Sequence, residues 1–69
     1  MAKLTKADVL KKAENAKTKQ ELEKVLGKPD RFDKYDVLVA SGEYWVYKTS
    51  DGEVSFLIIN DKVSASATK

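Results

Sequence analysis

The sequence predicts an α+β fold in which two N-terminal helices pack on one face of a three- or four-stranded antiparallel β-meander. Two segments with helix caps and an apolar stripe come before residue 30, and strand-like apolar segments separated by turn residues come after it. Helices that precede a run of strands, rather than alternating with it, are typical of an α+β fold. Because 69 residues provide material for one core, we expect residues 1–69 to form a single domain.

Each predicted helix begins at a residue that can cap its first turn. Thr5 begins a helix predicted over residues 5–16, and Thr18 with Glu21 forms a capping box for a helix over residues 18–27. Gly27 ends the second helix, since glycine accepts the left-handed conformation and a proline follows two residues later. Apolar residues at helical spacing predict the buried stripe: Val9, Leu10, Ala13, Ala16, Leu22, Val25 and Leu26.

The second half of the chain is predicted to form strands. They cover residues 32–40, 43–49, 54–59 and 62–67, and the last is a small-residue edge strand. The firmest part of the first strand is Val37–Val39. Turn residues between the strands predict reversals at Ser41–Gly42, Ser50–Gly52 and Asn60–Asp61.

The second and third strands place large apolar side chains on both faces of the sheet, because successive side chains of a strand point to opposite faces. So short a chain has residues enough to cover only one face of the sheet. We therefore expect the other face to bind a protein, unless the first helix or the chain ends wrap it. A type I turn with a bulge at Gly52 would pair Thr49 with Glu53. The predicted binding residues then share one face: Trp45, Tyr47, Leu57 and Ile59.

A two-residue turn at Asp51–Gly52 is the alternative for this hairpin. It would place Trp45 and Tyr47 on the same face as Phe56 and Ile58, so that Trp45 joins the core. The open face would then consist of Tyr44, Val46, Leu57 and Ile59.

The composition excludes several classes of active site. The chain has no Cys and no His, so it cannot form a disulfide, a Cys or His metal site, or a catalytic group based on either residue. We therefore expect no catalytic residues, no cofactor and no metal ion. The alternative function is nucleic-acid binding by the N-terminal half. Residues 1–29 carry eight lysines and four acidic residues, whereas the net charge of the whole chain is +2.

Neither a signal peptide nor a membrane span is predicted. Residues 1–6 lead into the first helix without the apolar segment of a signal peptide. No apolar run approaches the ~20 residues that a membrane-spanning helix needs. We expect the chain as written to be cytoplasmic, whereas removal of a signal peptide would place it in the periplasm or outside the cell.

Several short motifs follow one another from the second helix onward. They are a capped helix start, a Leu-Gly-x-Pro helix end, a Trp/Tyr-rich strand, an apolar strand and a turn into the last strand: Thr18–Leu22, Leu26–Pro29, Tyr44–Tyr47, Val54–Phe56 and Asp61–Val63. Over roughly residues 16–63 this pattern resembles the SmpA/OmlA (BamE-like) domain and the related repeats of beta-lactamase inhibitor protein, the BLIP-like fold.

The resemblance implies a helix-loop-helix laid on an antiparallel sheet. It also implies a small non-enzymatic protein-binding module of the inhibitor or adaptor type. Its partner would be another protein or a second copy of the chain.

Overall fold

Two short helices form the N-terminal layer of the protein. A computed structural model describes residues 4–37 and 40–69, with α1 at Lys6–Ala13 and α2 at Lys19–Leu26. Both helices lie where the sequence predicts them, but α1 ends at Ala13 instead of residue 16. Helices of two turns depend on tertiary packing for their stability. Neither described helix is long and apolar enough to cross a membrane.

Both helices begin at a threonine cap, as predicted, but the reciprocal capping box forms at Thr5 and Asp8 instead of at Thr18 and Glu21. The Thr5 hydroxyl oxygen accepts a hydrogen bond from the Asp8 N–H at 3.1 Å, and the Asp8 carboxylate accepts one from the Thr5 N–H at 3.2 Å. The Thr18 hydroxyl oxygen accepts from the Glu21 N–H at 3.2 Å. α2 ends at Gly27, whose φ of +78° lies in the region that glycine tolerates best.

Four strands form one antiparallel sheet in the order β1-β2-β3-β4. They are β1 (Arg31–Val37), β2 (Ala40–Thr49), β3 (Gly52–Ile59) and β4 (Lys62–Thr68). α1 contacts β3, and α2 contacts β4. The predicted α+β architecture, with helices against a four-stranded meander, is therefore confirmed.

The connection between β1 and β2 lies earlier in the chain than the sequence predicts. Ser41 and Gly42 are residues of β2, opposite Asp36 and Tyr35, so the predicted Ser41–Gly42 turn is wrong. Tyr35 lies directly beside Gly42 across the strands, with its Cβ 4.0 Å from where a Gly42 Cβ would be. Residues 38 and 39, which belong to the predicted firmest part of the first strand, lie outside the described residues.

The hairpin of β2 and β3 closes with Thr49 opposite Gly52. The predicted pairing of Thr49 with Glu53 is wrong, because the two residues between Thr49 and Gly52 form the turn. Gly52 instead begins β3 with a φ of +148°, and a Cβ at this position would collide with the carbonyl oxygen of Lys69. Both the positive φ and the close approach to Lys69 therefore favour glycine at this position.

The hairpin of β3 and β4 turns at Asn60 and Asp61, as predicted. Their φ values of 51° and 68° are both positive, which is typical of the type I′ turn preferred by two-residue hairpins. The Asp61 carbonyl accepts the Lys19 N–H at 2.8 Å. This bond fixes the start of α2 to the end of the sheet.

The core lies between the helices and the sheet. Its buried residues are Val9, Ala16, Leu22, Trp45, Tyr47, Val54, Phe56 and Ile58. Ala13, Leu26 and Val63 are partly buried against them. Leu10 and Val25 are 37% and 43% exposed, so their predicted burial is wrong. Each helix therefore exposes part of its predicted apolar stripe to solvent.

Candidate functional site

Trp45 and Tyr47 lie under the helices rather than on the exposed side of the sheet. Trp45 is paired with Phe56, and both Trp45 and Tyr47 are 5% exposed. The two aromatic residues therefore do not share a face with Leu57 and Ile59, and that prediction is wrong. The observed pairing differs by one residue from the predicted register, and a slip of one residue moves a side chain to the opposite face.

The open face is the side of the sheet turned away from the helices. On it, Tyr44 lies opposite Leu57, and Gly42 lies between Tyr35 and Ile59. Tyr35 is 54% exposed and Ile59 is 39% exposed, while Tyr44 and Leu57 are half-buried. These four large side chains form the apolar patch of the open face. The core and both helices lie on the other side of the sheet.

The other end of the open face carries charges. Arg31 lies opposite Val46, and Lys48 lies opposite Glu53. Val46 and Ser55 are only 2% and 8% exposed. Arg31 is directly opposite Val46 on this face, and the aliphatic stem of an arginine can cover such a neighbour while its guanidinium stays in water. Asp33 lies opposite Tyr44 on the same face, so the open face combines an apolar patch that borders one carboxylate with a charged end of mixed sign.

Among the described residues, four polar side chains meet near the helix side of β2. The Trp45 indole N–H donates to one Glu43 carboxylate oxygen at 3.1 Å, and the Lys19 ammonium donates to the other at 2.7 Å. Asp61 lies 3.7 Å from the same ammonium. The Glu43 side chain is 13% exposed and that of Lys19 is 30% exposed. This network links α2, β2 and the turn before β4.

The contacts of this network shift the pKa of both charged groups. Burial alone would raise the pKa of Glu43, but hydrogen bonds from Lys19 and Trp45 outweigh it and hold that pKa below its usual range. The hydrogen bond to Glu43 raises the pKa of Lys19 against the smaller opposing effect of desolvation. The pair therefore stays ionised across the neutral range.

Tyr47 connects the end of α2 to the sheet. Its hydroxyl donates to the Gly27 carbonyl at 2.7 Å. Burial, with smaller effects of nearby carboxylates, raises the pKa of Tyr47 well above its usual range. The phenol is therefore a neutral donor with a structural role.

A second connection joins α1 to the turn between β2 and β3. The Asp51 carboxylate accepts the Lys6 N–H at 2.8 Å and the Thr49 hydroxyl at 3.1 Å. The Ser50 N–H donates to the Leu4 carbonyl at 2.9 Å. The bond from the Lys6 N–H is the main cause that lowers the pKa of Asp51.

Sequence reasoning found only half of the apolar patch. Leu57 and Ile59 were predicted, whereas the face of Tyr44 depended on the hairpin register. Tyr35 was missed because four of the seven residues of β1 are charged, so no apolar pattern marked it. In the described part of the chain, no group of three acidic side chains could hold a metal ion.

Comparison with known proteins finds no family model, no curated protein and no solved structure that matches this chain.

Proposed function

We propose that the chain is a small non-enzymatic protein-binding module of the inhibitor or adaptor type, and that it binds its partner through the open face. The observation that carries this proposal is the apolar patch. Its two tyrosines, with Leu57 and Ile59, lie together in water-accessible positions instead of contributing to the core. A grouped apolar surface of this kind is typical of a protein contact site.

The chemistry of the patch suits protein contact. Tyrosine buries a large area while losing few rotamers, so Tyr35 and Tyr44 are suitable anchors. Aromatic residues at the centre of an interface often account for most of the binding energy. The charges at the other end of the open face would orient the partner, since mixed charges favour a complementary surface and oppose others.

The resemblance of the sequence to BamE-like domains and to the repeats of beta-lactamase inhibitor protein supports the same function. That resemblance implies a non-catalytic scaffold of two helices on an antiparallel sheet. Fold alone does not assign a function, so the apolar patch is the primary argument.

The test compares the wild type with a variant that removes two patch side chains, Tyr44→Thr and Ile59→Thr. Threonine is compatible with a strand and lacks the large apolar surface. Val25→Gln is the matched control, because it removes an exposed apolar side chain from α2 on the other side of the sheet. Circular dichroism checks that all three proteins are folded.

Light scattering and affinity capture from the cell that makes the protein provide the measurements. We expect association, either with a second copy or with a captured protein, that the control retains and the patch variant loses by about tenfold or more. Equal association of all three proteins would contradict the proposal. Binding of nucleic acid that weakens steeply with salt and is unchanged in the patch variant would favour the lysine-rich helices instead.

A further inference from the structure

A groove of about 400 Å³ lies on the helix side of the sheet, between α2 and the edge strand β1. This volume falls within the range of small-molecule sites, which is roughly 300–1,000 Å³. The groove is open to solvent. It lies on the opposite side of the sheet from the open face, so it is independent of the function proposed above.

The apolar part of the groove is aromatic. Phe32 lies opposite Trp45 on the same face of the sheet, and Pro29 lies beside them. Trp45 is 5% exposed, whereas Phe32 is 54% exposed and takes no part in the core. The exposed Phe32 ring leaves an aromatic surface onto which a planar ligand could pack.

The charges around this aromatic surface are mostly positive. Lys19 also lines the groove, but its ammonium is paired with Glu43. Lys28 and Lys34 line it as well. Neither forms an ion pair within 4.0 Å among residues 4–37 and 40–69, and Lys34 lies opposite Glu43 across the strands. Glu23 is the remaining carboxylate. The lining as a whole carries three lysines against two carboxylates, and this excess of one positive charge favours a ligand that carries negative charge.

We propose that this groove binds a small aromatic anion, with its ring system against Phe32 and its anionic group toward Lys28 and Lys34. Ring packing provides the apolar contact, and the two ammonium groups select charge. A neutral compound of the same shape keeps the ring contact and loses the attraction to the two ammonium groups.

The experiment titrates the full chain with 2-naphthoate and with the neutral 2-naphthalenemethanol, followed by two-dimensional NMR. The indole N–H of Trp45, the single tryptophan, reports on the floor of the groove, and the Phe32 amide reports on its edge. For ligands of this size we expect a dissociation constant on the order of 1 mM or below. Naphthoate should bind about fivefold more tightly than the alcohol at low salt, and the difference should shrink at high salt.

Two pairs of lysine substitutions separate local charge from net charge. Lys28→Gln with Lys34→Gln should weaken naphthoate binding about fivefold and leave binding of the alcohol unchanged. Lys12→Gln with Lys62→Gln makes the same change in net charge at exposed positions outside the groove and should affect neither ligand. Glu23→Gln should tighten naphthoate binding, because it removes a repulsive charge.

Phe32 provides the test of the ring contact. Phe32→Ser should weaken both ligands, and Phe32→Leu, which preserves an apolar edge strand, should weaken them less. The proposal is overturned by equal affinity for naphthoate and the alcohol, or by no binding of naphthoate at 5 mM. It is also overturned by shifts that map to Tyr44 and Leu57 on the open face, or by equal effects of the two lysine pairs.

Discussion

Replacing Glu43 by glutamine tests the network that joins α2 to β2. Hydrogen bonds to charged groups contribute about 1.5–3 kcal/mol when buried, and exposed ion pairs about 0.2–1 kcal/mol. Glu43 and Lys19 are 13% and 30% exposed, so their contribution lies between these ranges. Asp61 remains 3.7 Å from the Lys19 ammonium, which limits the loss. We expect Glu43→Gln to lower the free energy of unfolding by about 1–2 kcal/mol at pH 7.

The dependence on pH distinguishes this network from a packing effect. Because folding lowers the pKa of Glu43, its carboxylate stabilises the fold above the ordinary value of 4.5. That contribution is lost as the pH falls through the lower pKa of the folded state. Urea denaturation at several pH values should therefore show the wild type and the variant converging in acid.

Glu53→Gln is the control for this prediction, since it makes the same change on the open face. It should alter the free energy of unfolding by less than about 0.5 kcal/mol. A difference between wild type and Glu43→Gln that persists in strong acid would refute the argument. So would equal losses for the two glutamine variants at pH 7.

Three further predictions concern the core and the backbone. Leu22→Ala should cost about 3 kcal/mol, because Leu22 is fully buried, whereas Leu10→Ala should cost less than about 1 kcal/mol; similar denaturation midpoints for both would contradict the core assignment. Gly52→Ala should cost about 2 kcal/mol or more, and deletion of Lys69 should recover part of that loss in thermal unfolding; a neutral substitution would exclude the close approach. Trp45 emission in the monomer should be blue-shifted and resistant to acrylamide, and ready quenching would return Trp45 to the surface.

The elements of the fold were predictable because their signals are local. The caps at Thr5 and Thr18, the stop at Gly27 and the Asn60–Asp61 turn each depend on the chemistry of a few adjacent residues. These signals gave the order of two helices and four strands. They could not give the extent to which each helix is buried, since that depends on where a two-turn helix meets the sheet.

The faces of the sheet were not predictable in the same way. β2 and β3 are apolar at successive positions, so sliding one strand by one residue exchanges one apolar set for another at little apparent cost. In the observed pairing each side chain of β2 and β3 lies on the face that a two-residue Asp51–Gly52 turn would give it. The turn itself consists of Ser50 and Asp51, so neither predicted turn occurs. In the observed register Gly52 lies against Lys69, and this contact joins residues distant in the sequence.

The polar network was also beyond local reasoning. Lys19 and Glu43 are separated by 24 residues, and only the folded chain brings them together. The one available signal was Trp45, because a buried indole N–H requires an acceptor.

The attachment of α1 has a consequence for the order in which the protein opens. Val9 is its one fully buried residue, and its start is held by the bonds from Lys6 to Asp51 and from Ser50 to Leu4. An element with so few buried contacts undergoes local unfolding at a lower free energy than the whole domain. Amide hydrogens of α1 should therefore exchange before those of β2 and β3. Since α1 packs on β3, each such opening briefly uncovers part of the core while the sheet stays intact.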